Sequence, residues 1–265
     1  MNPEGRSVLL TGATGGLGHA IARRLAAEGA TLTLTGRRQD VLDALVAELG
    51  GTTRALAVDL ADAGAVGALA ETCRDVDVLV ANAALPASGH TLRFSVEEID
   101  RALDVNLRAP MVLARVLGER MSGRGHGHQV FISSLAGKVG SGGGAVYSAT
   151  KFGLRGFAHA LREDLAPSGV GVSVILPGFI RDAGMFHESG TKLPRGVGTS
   201  TPEAVADAVV RAITRNRAEI EVAPIALRVG ASVGSLAPGL AEVVKARLGG
   251  AKVAQQLADG QRAKR

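Results

Sequence analysis

Short runs of β-branched residues and leucine alternate with longer segments of helical period along most of this chain, and few architectures accept that rhythm. Ser7-Val8-Leu9-Leu10-Thr11 reads as a first strand, and residues 17–28 as a helix with Leu17, Ile21 and Leu25 on one stripe, stopped at Gly29. Thr31-Leu32-Thr33-Leu34 is a second strand, followed by a helix over 40–49 that closes at Gly50-Gly51. Further strands are expected at 55–58, 76–81, 129–132, 170–176 and 219–222, with helices near 62–73, 96–120, 146–166 and 202–215. Repeated strand–helix units with right-handed crossovers build a parallel sheet covered on both faces. The expected fold is therefore α/β, a doubly wound, parallel, seven-stranded sheet in three α/β/α layers. Of the residues, 46% are apolar but only 3% aromatic, so the core must be Ala, Val, Leu and Ile, which suits helices packed on parallel strands.

A chain of 265 residues with this pattern reads as one domain, placed at 1–248, with a basic and flexible tail at 249–265. From Lys245 to the end, six basic residues (Lys245, Arg247, Lys252, Arg262, Lys264, Arg265) face one acid, Asp259. Residues 245–265 thus carry the whole net charge of +5, so a basic surface for nucleic acid is not expected, and the aromatic count is too low for one. Cys73 is the only cysteine, which excludes a disulfide within the chain and fits a reducing, cytoplasmic setting. The N-terminus runs directly into a strand without a signal-peptide pattern. The apolar stretch 224–244 is broken by Arg228, Pro238 and Glu242 and makes a poor membrane span.

In such sheets ligands sit at the carboxyl ends of the strands. Directly after the first strand comes Thr11-Gly12-Ala13-Thr14-Gly15-Gly16-Leu17-Gly18, then a helix. Glycines let the backbone turn sharply and approach a pyrophosphate, and the helix N-terminus offers free N–H groups with a positive dipole end. A Rossmann-type dinucleotide site is the expectation, although tight turns also use glycine for steric reasons alone. After the second strand an NAD site usually carries an acid for the ribose hydroxyls. Here Gly36 is followed by Arg37 and Arg38, which can grip a 2′-phosphate, so NADP(H) is preferred over NAD(H).

Tyr147 and Lys151 stand four apart at the start of a helical run, on one helix face. A free tyrosine, with a pKa of about 10, is a poor acid–base at neutral pH, and a nearby ammonium lowers that value. Ser134 lies just after the fifth strand, where its hydroxyl can donate to a carbonyl oxygen. Together Gly12-x3-Gly16-x-Gly18, Asn82-Ala83-Ala84, Asn106, Ser134, Tyr147-x3-Lys151 and Pro177-Gly178 resemble the short-chain dehydrogenase/reductases, in their compact single-domain branch, over roughly residues 5–225.

The resemblance implies an oxidoreductase in which Ser134 polarises the carbonyl, Tyr147 transfers the proton, and Lys151 lowers the tyrosine pKa while holding the nicotinamide ribose. Asn106 would complete a tetrad by fixing a water in the proton relay. Thr14, Gly15, Leu17, Asp59 (to the adenine amino group), Leu60, Asn82, Pro177, Gly178 and Ile180 would join the cofactor site, and the protein would be a homodimer or homotetramer. Two positions depart from the family pattern. Ala84 stands for a common glycine, tolerable if the backbone there is not left-handed. Asp182 stands for a common threonine and cannot donate to the carboxamide when ionised.

His126 and His128 flank Gly127 in a glycine-rich stretch and read as loop-surface residues, so no metal is expected. Residues 181–201 lack periodicity and read as a lid, with Phe179, Met185 and Phe186 lining an apolar pocket. The reading is an NADPH-dependent reductase of a ketone or aldehyde, or the reverse oxidation of a secondary alcohol. The alternatives are a non-catalytic dinucleotide-binding regulator and a membrane-surface reductase of lipid-like carbonyls that uses 224–244 and the tail.

Overall fold

The computed structural model describes residues 1–194, 196–239 and 250–261, with the side chains of 250–252 left outside that description. Its seven strands are β1 (Ser7–Thr11), β2 (Thr31–Gly36), β3 (Arg54–Ala57), β4 (Val78–Ala81), β5 (Gly127–Ile132), β6 (Val170–Pro177) and β7 (Glu219–Val222). All pair in parallel, in the order β3-β2-β1-β4-β5-β6-β7. The order reverses between β1 and β4, and there the connecting loops part to leave a crevice at the carboxyl ends.

Strand alternation divides the core into two layers. Val8 and Leu10 of β1 face one side, where they pack with Ile21 and Leu25 of α1 (Gly16–Ala27), Leu42 and Leu45 of α2 (Gln39–Leu49), and Val205, Val209 and Ile213 of α8 (Pro202–Arg215). Leu9 faces the other, with Val66 and Leu69 of α3 (Ala63–Thr72), Leu113 and Leu117 of α5 (Ala109–Arg124), and Leu154 and Ala158 of α6 (Ala145–Leu165). Each leucine removed from water in this way contributes roughly 2 kcal/mol, so the aliphatic composition suffices for the core.

Strand bounds shift from the sequence reading by a residue or two. The helix expected over 96–120 is present as one continuous run whose α-helical ladder breaks once, at a π-helical turn (Asp104–Arg108) between α4 (Val96–Leu103) and α5. Pro110 explains the break, since it has no N–H to offer the carbonyl of Asn106 four residues earlier. His128 corrects the expectation of a surface loop. Gly127 opens β5, and His128 is 2% exposed, with Nε2 2.9 Å from Ser173 Oγ and its pKa driven down to about 3 by burial. His126 lies 3.6 Å from Asp77, and no group of three or more metal-ligating residues occurs among the described residues.

After β6 come a short α7 (Gly184–Glu188) and, after β7, α9 (Ile225–Leu236). Within the segment read as a flexible tail, residues 250–261 form a helix, α10 (Gly250–Gln261). Val253, Ala254, Leu257, Ala258 and Gln261 share one face, a helical period that the basic charge of the segment obscured. Lys245, Arg247, Arg262, Lys264 and Arg265 lie outside the described residues. No described helix is long and apolar enough to cross a membrane.

Candidate active site

The cofactor loop is shaped by contacts that exclude side chains. Gly12 takes a left-handed φ of 68°, and a Cβ there would stand 2.7 Å from the Ala83 Cα. A Cβ on Gly18 would fall 2.2 Å from the Gly12 carbonyl oxygen, and one on Gly16 would meet Ala183 at 2.5 Å. Gly15 donates to the Gly12 carbonyl at 3.2 Å and caps α1 without any side-chain oxygen, so the first turn of α1, Gly16-Leu17-Gly18, presents its N–H groups without competition. No acid sits in that turn to occupy the positive end of the helix dipole.

Asn82, just past β4, clamps the loop from below, donating from Nδ2 to the carbonyls of Thr11 and Gly12 at 3.1 and 3.2 Å. Thr11 Oγ1 accepts in return from the N–H groups of Asn82 and Ala83, both at 3.1 Å. Thr11 stood in the sequence reading only as the end of the first strand and the first residue of the glycine loop, and its hold on Asn82 and Ala83 was not foreseen. Among the described non-glycine residues only Asp182 and Asn216 have positive φ, so Ala84 needs no glycine.

At the adenosine end, a Cβ on Gly36 would already lie 2.7 Å from Thr14 Cγ2. An acid at the place where an NAD site carries one would have to displace the Thr14 side chain. Arg37 and Arg38 are exposed beside it, and Arg38 donates to the carbonyl of Thr14. Asp59 accepts from the Ala61 N–H at 3.0 Å and from Arg101 at 2.8 Å, with Leu60 buried next to it. Burial works to raise the Asp59 carboxyl, but the Ala61 amide, the Arg101 guanidinium and the charge of Arg37 outweigh it and hold the group low. Arg101 comes from α4, forty-two positions away, and nothing local in the sequence announces it. The glycine cradle, the free helix end and the paired arginines fit a dinucleotide with a phosphorylated ribose.

Ser134 and Tyr147 face each other across the crevice. Ser134 follows β5 and caps a 3-10 turn, with Oγ accepting from Ala136 N at 3.1 Å and donating to the Pro177 carbonyl at 3.4 Å. Tyr147 is half-buried on the first turns of α6, and Lys151 is 2% exposed one turn on, its Nζ 5.7 Å from the phenol ring centroid. Burial pushes the phenol up to about 12, while the Ser134 hydroxyl pulls the other way. This differs from the expectation that Lys151 lowers the tyrosine. The lysine ammonium donates to the Ile132 carbonyl at 2.9 Å, and its own pKa is lowered by burial to about 8.

Asn106 is fully buried in the π turn. Its Oδ1 accepts from Leu85 N at 2.6 Å, and Nδ2 donates to Leu85 O at 3.0 Å and to Thr150 Oγ1 at 3.4 Å. Thr150 in turn donates to the Tyr147 carbonyl at 2.8 Å, so the asparagine is tied to the helix that bears Tyr147 and Lys151.

Past β6, Gly178 donates to Val222 O at 3.0 Å. Ile180 is buried and bridges Ser200, a pairing made by the groups of Phe179 and Arg181, which leaves the N–H and C=O of Ile180 itself directed the other way. Asp182 holds φ at 67° and pairs with Arg181 at 3.2 Å while largely exposed. The rings of Phe179 and Phe186 pack 5.0 Å apart between centroids.

The family model described as short chain dehydrogenase matches residues 6–194. The ketoacyl reductase HetN of Nostoc sp. is 40% identical over 225 residues, 82% of this chain and 78% of that protein. The 3-oxoacyl-[acyl-carrier-protein] reductase FabG of Escherichia coli is 35% identical over 184 residues, 68% of this chain and 75% of that one. Among solved structures, a short-chain dehydrogenase from Sphingobium yanoikuyae in complex with NADPH superposes with a TM-score of 0.78 at 29% identity, covering 89% of this chain and 95% of that one. A metagenomic short-chain oxidoreductase in complex with NADP gives 0.71 at 32%, covering 84% and 99%. With the glycine cradle at the switch point and Ser134, Tyr147 and Lys151 gathered beside it, this chain belongs to the short-chain dehydrogenase/reductase family and is an oxidoreductase.

Proposed function

We propose that the protein is an NADPH-dependent carbonyl reductase, able to run in reverse as a secondary-alcohol dehydrogenase. The observation that carries this reading is the convergence of the Tyr147 phenol, the Ser134 hydroxyl and the Lys151 ammonium at the carboxyl end of the sheet, next to a glycine-walled crevice. A bound nicotinamide would supply the hydride to the carbonyl carbon when reduced. Gly12, Thr14, Gly15, Gly16, Leu17 and Gly18 would hold its pyrophosphate, Arg37 and Arg38 the 2′-phosphate, Asp59 and Leu60 the adenine. Asn82, Pro177, Gly178 and the backbone of Ile180 would line the nicotinamide side.

Ser134 donates to the substrate oxygen and holds it against Tyr147, which passes its proton to that oxygen as negative charge develops. A phenol raised by burial to about 12 stays protonated at neutral pH, as a proton donor requires. Lys151, its ammonium held on the Ile132 carbonyl, would anchor the nicotinamide ribose beside the phenol. Asn106 keeps the α6 end in register through Thr150 and would fix a water in the proton relay. The names of HetN and FabG support a ketone as the substrate. Residues 1–248 would act as one catalytic domain, in a homodimer or homotetramer that pairs α5 and α6, where Met111 and Phe152 stay exposed.

The test is NADPH consumption against a panel of aldehydes and ketones, with NADH in parallel. Turnover with NADPH is expected. A protein that binds NADPH and reduces none of the panel would instead be the non-catalytic dinucleotide-binding regulator.

A further inference from the structure

Two segments distant in sequence flank the carboxyl end of the sheet around Tyr147. One is the loop 140–144 that leads into α6; the other is α7 with the turn behind it at 189–192. α10 touches both. Gln261 donates from Nε2 to the Met185 carbonyl at 3.3 Å, and the N–H of Lys192 donates to Gln256 Oε1 at 3.3 Å. The turn lies flush on the helix, for a Cβ on Gly260 would stand 2.2 Å from the Ser189 carbonyl oxygen. On the opposite flank the Ala254 methyl lies 3.1 Å from where a Gly143 Cβ would be. The Gly143 carbonyl accepts from Gly89 N at 2.7 Å, tying that loop to the segment clamped by Asn106 at Leu85. Ala258 and Gln261 are buried at 8% and 5% exposure, so the contact is a packed one.

α7 needs such support. Five residues are too few for a helix to persist alone, and Gly184 and Gly190, both at positive φ, bracket the segment with flexible joints. α7 also carries Met185 and Phe186, the latter against Phe179, which follows the strand end that Ser134 reaches at Pro177. We propose that α10 is a specificity-determining wall: Ala254, Gln256, Gly260 and Gln261 hold α7 and the 140–144 loop at a set separation and thereby limit the size of carbonyl substrate that reaches Tyr147. This rests on the carbonyl-reductase reading.

The test uses the full chain with Gly260→Ala and Gln261→Ala, and Gln255→Ala as a surface control, since Gln255 is exposed and, among the described residues, bonds to Asp259 alone. Alanine is a better helix former than glycine, so Gly260→Ala leaves α10 itself intact while its methyl forces the helix and Ser189 apart. Two readouts are taken: kcat and KM for methyl ketones of increasing bulk, and amide hydrogen exchange over 184–192. Both test variants should shift kcat/KM toward bulky ketones by about tenfold through KM, the discrimination that one or two methylenes command in an apolar pocket. Exchange over 184–192 should quicken, while NADPH affinity stays within about twofold and the control matches the parent. An unchanged bulk preference overturns the proposal, whether or not exchange quickens. If the parent reduces no ketone, the carbonyl-reductase reading falls, and unchanged exchange over 184–192 would then sink the wall as well.

Discussion

The two halves of the crevice are built by opposite means. The cofactor half is mostly backbone: one loop of eight consecutive residues, shaped by Gly12 and Gly18, and pinned from β4 by a single asparagine. The proposed substrate half is assembled from the 140–144 loop, α7 and α10, and held by contacts such as Gln261 with Met185. A dinucleotide presents the same pyrophosphate wherever it binds, so a local backbone shape can answer it. A substrate differs from enzyme to enzyme, so its walls are free to come from wherever the chain can reach. Changes in the first half should register in cofactor affinity, and changes in the second in KM for the carbonyl.

Tyr147, between the halves, gives the largest expected effect. Tyr147→Phe should lower kcat about a thousandfold, the scale of a lost proton donor, with NADPH affinity within about twofold. Equal losses in both would erase the division of labour. Next, Gly18→Ala forces a methyl onto the Gly12 carbonyl, costing roughly 1–3 kcal/mol of folding stability by overpacking, read as a lower Tm, and weakening NADPH by tenfold or more. Arg38→Ala should shrink the preference for NADPH over NADH by about 10- to 100-fold, the worth of one charged hydrogen bond, without altering the order of carbonyl substrates.

A pH profile sharpens the boundary between the halves. With its pKa lowered to about 8, Lys151 is an ammonium below that pH and neutral above it. The phenol, held at about 12, does not titrate in that window. Reduction measured as kcat should therefore fall as pH rises through about 8, by up to tenfold per pH unit, and Lys151→Met should be slow and flat across the same range. The smallest effect belongs to Phe186→Ala, which should raise KM for an apolar ketone a few-fold and leave NADPH affinity alone. A comparable loss in NADPH affinity would place Phe186 in the wrong half.

Legibility in the sequence follows the same division. The glycine loop, Ser134 and the Tyr147/Lys151 pair stood out because each is defined by spacing within one element or at its end. Asn106 was legible as a position, but its π turn was not, although Pro110 held the clue. Arg101 at Asp59 and Thr11 at Asn82 were missed because their partners lie forty-two and seventy-one positions away. His128 was misjudged because a histidine beside glycines looks like a loop until β6 supplies Ser173. The tail was read from its charge, while the apolar face of α10 has meaning only once α7 is there to receive it.

The sequence by itself determined the doubly wound sheet, the crevice at its switch point and the placing of Tyr147 and Lys151 on one helix face. Hydrophobic period, glycine stereochemistry and helical spacing are local constraints, and they hold wherever the chain folds. Only the tertiary structure decided how those groups are tuned: a phenol raised rather than lowered, a lysine turned to the Ile132 carbonyl, an asparagine spanning Leu85 and Thr150. Burial and hydrogen-bond partners depend on what the rest of the chain brings to a point, and no window of sequence contains them.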